Sequence, residues 1–541
     1  MIRIIVKVIL LMTLSIGLSS AIHGQESTNA LAGEWVGNIE SDGKSQFTRL
    51  SLTEIDGQFS LPLANFTAKF SLVRLEDSRV RFELSSLKLV MTGTLAGNEI
   101  DGEAEVPGTK GRFHLVRIKR LAPEIWTSYV GAYRFRNGDF LLIDSFADTP
   151  DTLFATDVKS GEVRAMFPKS DTEFIGGPAL FVPSPTRQTI NFRRAGAHVV
   201  GLDFKGAQQP IAYAARIPIR HEEVRFKNGD VKLAGTLLIP ESKGQRHPAI
   251  VFTHGGGPAL RELFWGLGYL FAARGFAVLT YDKRGAGEST GNWREASFEN
   301  LADDAVAAAK LLQSRRDINP RQIGFWGLSQ GGWIAPLAAY RFADSAFVIA
   351  LSGGGLSPAD QELFDTEYEL RKAGFASSEI NDAITFQRLK NDIIVSKDKW
   401  EQYSKARLTA KDQKWFRFPG VDIRGPERID DPFWANLQRF YVYDPAPTLR
   451  ALKCPLLAIF GELDTPEAVK ANVDAIRQIL GPAGQRDYTV KVYPRARHNL
   501  MEVPSDQPDE YTRLKRFAPG LFEAMVDWTT RKVHPGAQRR T

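Results

Sequence analysis

The chain has 541 residues, 43% hydrophobic and 24% charged, with a formal net charge of +6. That length and balance describe a globular protein with room for more than one domain, and they exclude collagenous or wholly disordered chains. Basic and acidic residues are interspersed and the terminal Arg539-Arg540 is only a pair, so no nucleic-acid function is expected. The single cysteine, Cys454, excludes an intramolecular disulfide. Its place before an apolar strand predicts a small buried residue with no redox role.

Met1 to Lys7 is a short basic segment, Val8 to Leu18 is apolar, and Ser19, Ser20 and Ala21 are small. This reads as a secretory signal peptide over 1–24, since the apolar run is too short to span a bilayer. No cysteine stands at its end, so no lipoprotein anchor is expected. The implied location is outside the cytoplasm, periplasmic or secreted, with no stable membrane insertion after cleavage.

From Gly33 to Ile118 the chain alternates in short runs such as Phe70–Leu75 and Arg79–Leu84, separated by turns at Glu54-Ile55-Asp56-Gly57 and Ala96-Gly97-Asn98-Glu99. This predicts an antiparallel β module over 25–121, a small barrel or sandwich. A second β-rich module is expected over 122–216, with strands at Phe140–Asp144 and Thr189–Arg193. A faint likeness between Gly33-Glu-Trp-Val-Gly and Tyr129-Val-Gly-Ala-Tyr hints at duplication. His114 and His198 fall in this region, and neither has partners at metal-ligand spacing. The modules are expected to serve recognition, to mediate assembly, to shape the entrance to a site elsewhere in the chain, or only to stabilise the protein.

After residue 217 the texture changes to continuous apolar runs. Pro248–Thr253 reads as a buried strand ending at His254-Gly255-Gly256-Gly257-Pro258, and Phe276–Tyr281 runs into Asp282-Lys283-Arg284-Gly285-Ala286-Gly287-Glu288-Ser289. Gln322–Trp326 is a strand before Gly327-Leu328-Ser329-Gln330-Gly331, and a helix follows. A Gly-x-Ser-x-Gly between strand and helix is a nucleophile elbow, which exposes a serine hydroxyl above a parallel sheet. Pro455–Phe460 ends in Gly461-Glu462-Leu463-Asp464, and Tyr488–Tyr493 leads to His498.

On these motifs, residues from about 217 onward resemble the α/β-hydrolase superfamily, in particular bacterial enzymes related to serine aminopeptidases, prolyl-oligopeptidase-like enzymes and small esterases. The resemblance implies an α/β fold over 217–541 and a serine hydrolase mechanism, with Ser329, Asp464 and His498 in that superfamily's triad order. A serine hydroxyl needs a base to take its proton, and His498 suits that task near neutral pH. Asp464 would orient the imidazole, and Glu462 competes for that role. Backbone N–H groups of Gly256 and Gln330 would receive the oxyanion. His254 reads as bracing the glycine loop, and Asp282 and Arg284 as pinning a turn. Trp265, Trp293 and Trp333 lie near these motifs, as pocket walls or as core.

A strand at Phe347–Leu351 is followed by about a hundred residues before the next, too many for a simple crossover. Residues 354–450 are expected to form a helical lid, with helices over Gln361–Ala373 and Ser378–Ser396. Phe418, Phe433, Trp434 and Phe440 would line an acyl pocket or form the lid's own core. The function implied is a carboxylesterase acting on small to medium esters. A peptidase for short peptides is the alternative, with Glu262, Asp365 or Glu367 available to hold a free amine. A binding or assembly module carrying a vestigial hydrolase is a third. With no phosphate loop, His/Cys cluster or dinucleotide fingerprint, no cofactor and no metal are expected. The acyl group, leaving group and oligomeric state are not written in the sequence.

Overall fold

Alternation and continuity of apolar residues divide this chain into two kinds of sheet. The computed structural model describes residues 30–534, apart from 54–55, 146–151, 208–209, 242–245, 422, 482–486 and 505–510. The expected signal segment, the Glu54-Ile55 half of one turn and Arg539-Arg540 lie outside the described residues. Contacts group the chain into two units, one of 1–217 with 503–519 and one of 218–502 with 520–541.

In the first unit, a nine-stranded antiparallel sheet runs from Gly33–Ser41 to Thr109–Ile118. Its first hairpin turns on Asp42-Gly43, both at positive φ, with Ser41 opposite Lys44. That two-residue turn matches the right-handed twist of the strands. Along Arg79–Leu84 every second residue is buried, and Val80, Phe82 and Leu84 join Trp35, Leu50 and Met91 in one core. The second β block is an eight-stranded closed barrel, Gly131–Phe135 to Ala212–Arg216, closed by pairing of its first and last strands. The region is thus one open sheet and one barrel. The sequence reading keeps 217–541 in one domain; here Val503–Pro519 belongs to the first unit. Its Lys515 carbonyl accepts from the N–H of Val163 at 3.0 Å and its Leu514 carbonyl from the N–H of Leu180 at 2.8 Å.

The second unit is built on eight strands: β1 (Ile219–Asn228), β2 (Val231–Pro240), β3 (His247–Thr253), β4 (Ala277–Tyr281), β5 (Ile318–Leu328), β6 (Ser345–Leu351), β7 (Leu456–Gly461) and β8 (Tyr488–Tyr493). They lie in the order β1-β2-β4-β3-β5-β6-β7-β8. β1, β2 and β4 pair antiparallel, and all later pairs are parallel. Parallel strands are covered on both faces, which is why they read as unbroken apolar runs. The helices α1 (Trp265–Ala273), α2 (Phe298–Gln313) and α3 (Gln330–Arg341) connect the first of them.

Between β6 and β7 stand α4 (Pro358–Lys372), α5 (Ser377–Val395), α6 (Trp400–Ala410), α7 (Phe433–Tyr441) and α8 (Pro445–Ala451); α9 (Pro466–Leu480) and α10 (Leu521–Val533) follow. The expected insertion is therefore helical. Leu370, Ile380, Phe386, Tyr403, Phe416 and Trp434 pack into a core of its own. Its aromatics divide: Trp434 is buried there, Phe440 packs tilted against Phe298 of the main core, and Phe433 is exposed.

Candidate active site

Only Ser329 separates β5 from α3, and the turn bends its backbone to φ 59° and ψ −123°. A non-glycine residue held at positive φ stores strain that the surrounding structure must impose. The flanking glycines permit the close approach. A Cβ on Gly327 would lie 2.1 Å from Gly331 O, and one on Gly331 would lie 2.9 Å from Thr253 Oγ1. Ser329 N donates to Leu351 O at 2.9 Å. Its hydroxyl has no hydrogen-bond partner among the described residues, so it is left for another group. Gln330 opens α3, where backbone N–H groups lack intrahelical acceptors and the helix dipole is positive.

The His254-Gly-Gly-Gly-Pro loop leaves β3 beside this turn. A Cβ placed on Gly255 would meet Ser329 Cβ at 3.7 Å, while one on Gly256 would meet open space. His254 braces the loop, with Nε2 2.5 Å from Tyr281 O. Facing a carbonyl, that nitrogen must carry its proton. Burial, with the charge of Lys283, pushes the ring's pKa down to about 3, so His254 is neutral and structural. Asp282 accepts from Arg261 Nη2 at 2.7 Å and from the N–H of Glu288 at 2.9 Å. Arg284 grips Asp304 with two contacts of 2.7 Å. Both therefore pin the turn after β4.

The remaining two residues come from the loops after β7 and β8. His498 Nδ1 lies 2.7 Å from Asp464 Oδ2. Glu462 is engaged elsewhere, accepting from the N–H of Arg495 at 3.0 Å. Ser352, at the end of β6, donates to the carbonyl of His498 at 2.8 Å. The His498 side chain is half exposed. Desolvation opposes its charging, but the hydrogen bond and charge of Asp464, with the charge of Asp365, outweigh it and raise its pKa above the ordinary value.

Asp365 is the residue whose place sequence reasoning missed. It sits on α4 of the insertion, accepts from Thr465 Oγ1 at 2.6 Å and from Gln361 Nε2 at 3.1 Å, and feels the charge of Asp464. Burial raises its pKa. No linear spacing joins residue 365 to residue 464; only the return of α4 toward α9 does. Glu367 instead pairs with Arg371 at the surface. Of the tryptophans, Trp333 is buried in the main core, Trp265 donates to Thr280 Oγ1 at 3.2 Å, and Trp293 offers its ring to Lys283.

In the first unit, strand pairing changes the reading of His114. His114 does have partners: cross-strand register sets Asp101 opposite it, with Nδ1 to Oδ1 at 2.6 Å, and gathers Glu99, Asp101 and His114 so that one ligand atom from each lies within 4.8 Å of the others. Both carboxylates are exposed, and exposed acids gather without any ion. Asp101 and His114 also line a cleft of about 670 Å³ within this unit, to which no candidate triad residue contributes.

Residues 250–514 match the model of the alpha/beta hydrolase family. Esterase EstD of Thermotoga maritima is 24% identical over 342 residues, covering 61% of this chain and 73% of that protein. An uncharacterized 31.7 kDa protein of Escherichia coli, from a traX-finO intergenic region, is 24% identical over 247 residues, 45% of this chain and 82% of that one. Among solved structures, a dienelactone hydrolase from Anabaena variabilis is 18% identical, covering 59% of this chain and 98% of that one with a TM-score of 0.32. With the strand order above, the match defines the second unit as an α/β-hydrolase domain. The family match and the esterase-named relative support an α/β-hydrolase superfamily protein and a hydrolase.

Proposed function

We propose that the protein is an exported serine esterase that hydrolyses small to medium acyl esters through an acyl-enzyme. Ser329 Oγ attacks the acyl carbonyl and passes its proton to His498 Nε2. A bond forms between Oγ and the carbonyl carbon, and the carbonyl's π pair moves onto its oxygen. The N–H groups of Gly256 and Gln330 hold that oxyanion. Collapse breaks the bond to the alcohol, which leaves with the proton from His498. Water then attacks the acyl-enzyme, His498 takes its proton, and Ser329 departs with that proton as the acid is released. Throughout, Asp464 accepts from Nδ1–H, fixing the tautomer and steadying the imidazolium.

The observation that carries this reading is the 2.7 Å contact of Asp464 with His498, in the unit whose strand-to-helix turn holds Ser329 at φ 59°. The name of the Thermotoga relative, an esterase, supports esters as substrates. The basic and apolar residues from Met1 to Leu18 support export, which cell fractionation and N-terminal sequencing of the mature protein test. Asp365 keeps the peptidase reading alive, because a carboxylate beside His498 with no ion pair among the described residues suits a substrate ammonium.

The test is to assay p-nitrophenyl esters of increasing acyl length beside aminoacyl p-nitroanilides, with Ser329→Ala as control. Ester turnover that vanishes in the mutant is expected, and its length optimum sizes the pocket. Dominant anilide cleavage moves the reading to a peptidase, and ester turnover that survives in Ser329→Ala removes the nucleophile assignment.

A further inference from the structure

Lys283 is buried to 2% exposure, and its Nζ donates to Gly255 O at 2.8 Å and to Gln330 Oε1 at 2.7 Å. The Trp293 ring centroid lies 5.6 Å from the same nitrogen. Among the described residues no carboxylate pairs with it. We propose that Lys283 is a positioning residue for the oxyanion hole, holding through one ammonium both groups that carry the donor N–H of Gly256 and the donor N–H of Gln330. The inference rests on the esterase reading above.

The first link is covalent. The carbonyl of Gly255 and the N–H of Gly256 are two edges of one planar peptide and point in opposite directions. A cation fixed on that oxygen sets the plane, and so sets where the N–H aims. Glycines on both sides otherwise leave this plane free to rotate. The contact also polarises the amide: hydrogen bonds in a chain strengthen one another in a low-dielectric setting, so an ammonium on the oxygen makes the Gly256 N–H a stronger donor.

The second link is to Gln330. Its backbone N–H is the other donor, at the start of α3, and its side-chain amide is long enough to fold over the site. Lys283 anchors Oε1 in a buried contact, which keeps the amide from competing for the oxyanion position.

Electrostatics adds a third link. A buried ammonium without a carboxylate is costly, and burial here pushes the Lys283 pKa down to about 8. Two carbonyl-type oxygens and an aromatic face keep it charged, but they bring no counter-charge. The substrate oxyanion, when it forms, brings a negative charge next to this arrangement. Interactions that strengthen only in the transition state raise kcat, whereas those already present with bound substrate lower KM.

The test compares Lys283→Met, Lys283→Gln and Lys283→Arg with wild type on the best p-nitrophenyl ester, with a trifluoromethyl ketone as a probe that Ser329 converts to an oxyanionic adduct. Losing one direct oxyanion donor costs on the order of 10²–10³ in kcat, so an indirect holder is expected to cost about 10- to 100-fold. Lys283→Met should lose that much kcat with KM within about twofold, and trifluoromethyl ketone affinity should fall by a similar factor. Lys283→Gln, which keeps a donor without charge, should fall between Met and wild type, and Lys283→Arg should recover part of the loss. If Lys283→Met does not fold, the Gln and Arg variants carry the same comparison. Variants that keep kcat within about threefold overturn the proposal, as does a loss confined to KM, or a loss of kcat that leaves ketone affinity unchanged. In those cases wild-type turnover still stands, so the esterase reading survives. A wild type that neither turns over esters nor binds the ketone defeats both.

Discussion

Among the described residues two histidine–aspartate pairs stand at nearly the same separation, His114 with Asp101 at 2.6 Å and His498 with Asp464 at 2.7 Å. The first lies flat on a β-sheet face, its aspartate 70% exposed, with the two residues directly opposite across neighbouring strands. The second joins two loops at the carboxyl ends of parallel strands, and its aspartate is only 20% exposed. Water competes freely for an exposed carboxylate and leaves such a pair worth little. The shielded carboxylate acts on its imidazole through a medium that screens less. A strained serine, a glycine loop and a helix start belong to the same unit as the second pair, and the first has none of them. The side-chain pair is therefore not the chemical device; its setting is.

Four substitutions sharpen or break that contrast. The largest effect is expected at the proposed nucleophile: Ser329→Ala should lower kcat by about 10⁴-fold or more with an unchanged thermal melt. Next comes Asp464→Asn, which leaves the shape but favours the wrong tautomer; a loss of about 10³- to 10⁴-fold in kcat is expected, and activity within tenfold of wild type would remove Asp464 from the site. A smaller effect is expected in the pH dependence. In the proposed mechanism the neutral form of His498 is the base, so kcat/KM should rise with pH through its raised pKa. Asp365 adds negative charge that favours the imidazolium, so Asp365→Asn should make the imidazolium less stable and move the acidic limb to lower pH. An unmoved limb would mean that Asp365 does not act on His498. The smallest effect is expected from Asp101→Asn, the counterpart of the second substitution. Ester turnover should match wild type, and stability measured by denaturant should change by about 0.5 kcal/mol or less.

Legibility followed the same divide between local and distant relations. The β5 strand, Ser329 and α3 could be read because the whole device is contiguous in the chain, even though Thr253 of another strand is among the contacts that require its glycines. The parallel strands announced themselves as unbroken apolar runs such as Phe347–Leu351. The choice between Asp464 and Glu462 was harder, since two acids two residues apart have the same local pattern; the Arg495 N–H that engages Glu462 comes from another loop. Lys283 stood in a quoted motif without a role, because its partners Gly255 and Gln330 lie in two other motifs. The gathering of Glu99, Asp101 and His114 depends on strand register, which linear spacing does not encode. The same holds for Asp365, brought to residue 464 by a long helical insertion.

The passage of Val503–Pro519 into the first unit has a practical meaning for anyone who would dissect the molecule. The polypeptide enters the hydrolase once, leaves it shortly after His498, and re-enters for α10, so no single cut in the chain yields two whole pieces. Deleting the first 217 residues strands Leu514 and Lys515 without the backbone groups of Leu180 and Val163 that they bond. Stopping the chain before 503 keeps His498 but discards α10 and its buried Leu521, Met525 and Trp528. An excised catalytic piece therefore needs 503–519 replaced by a short linker.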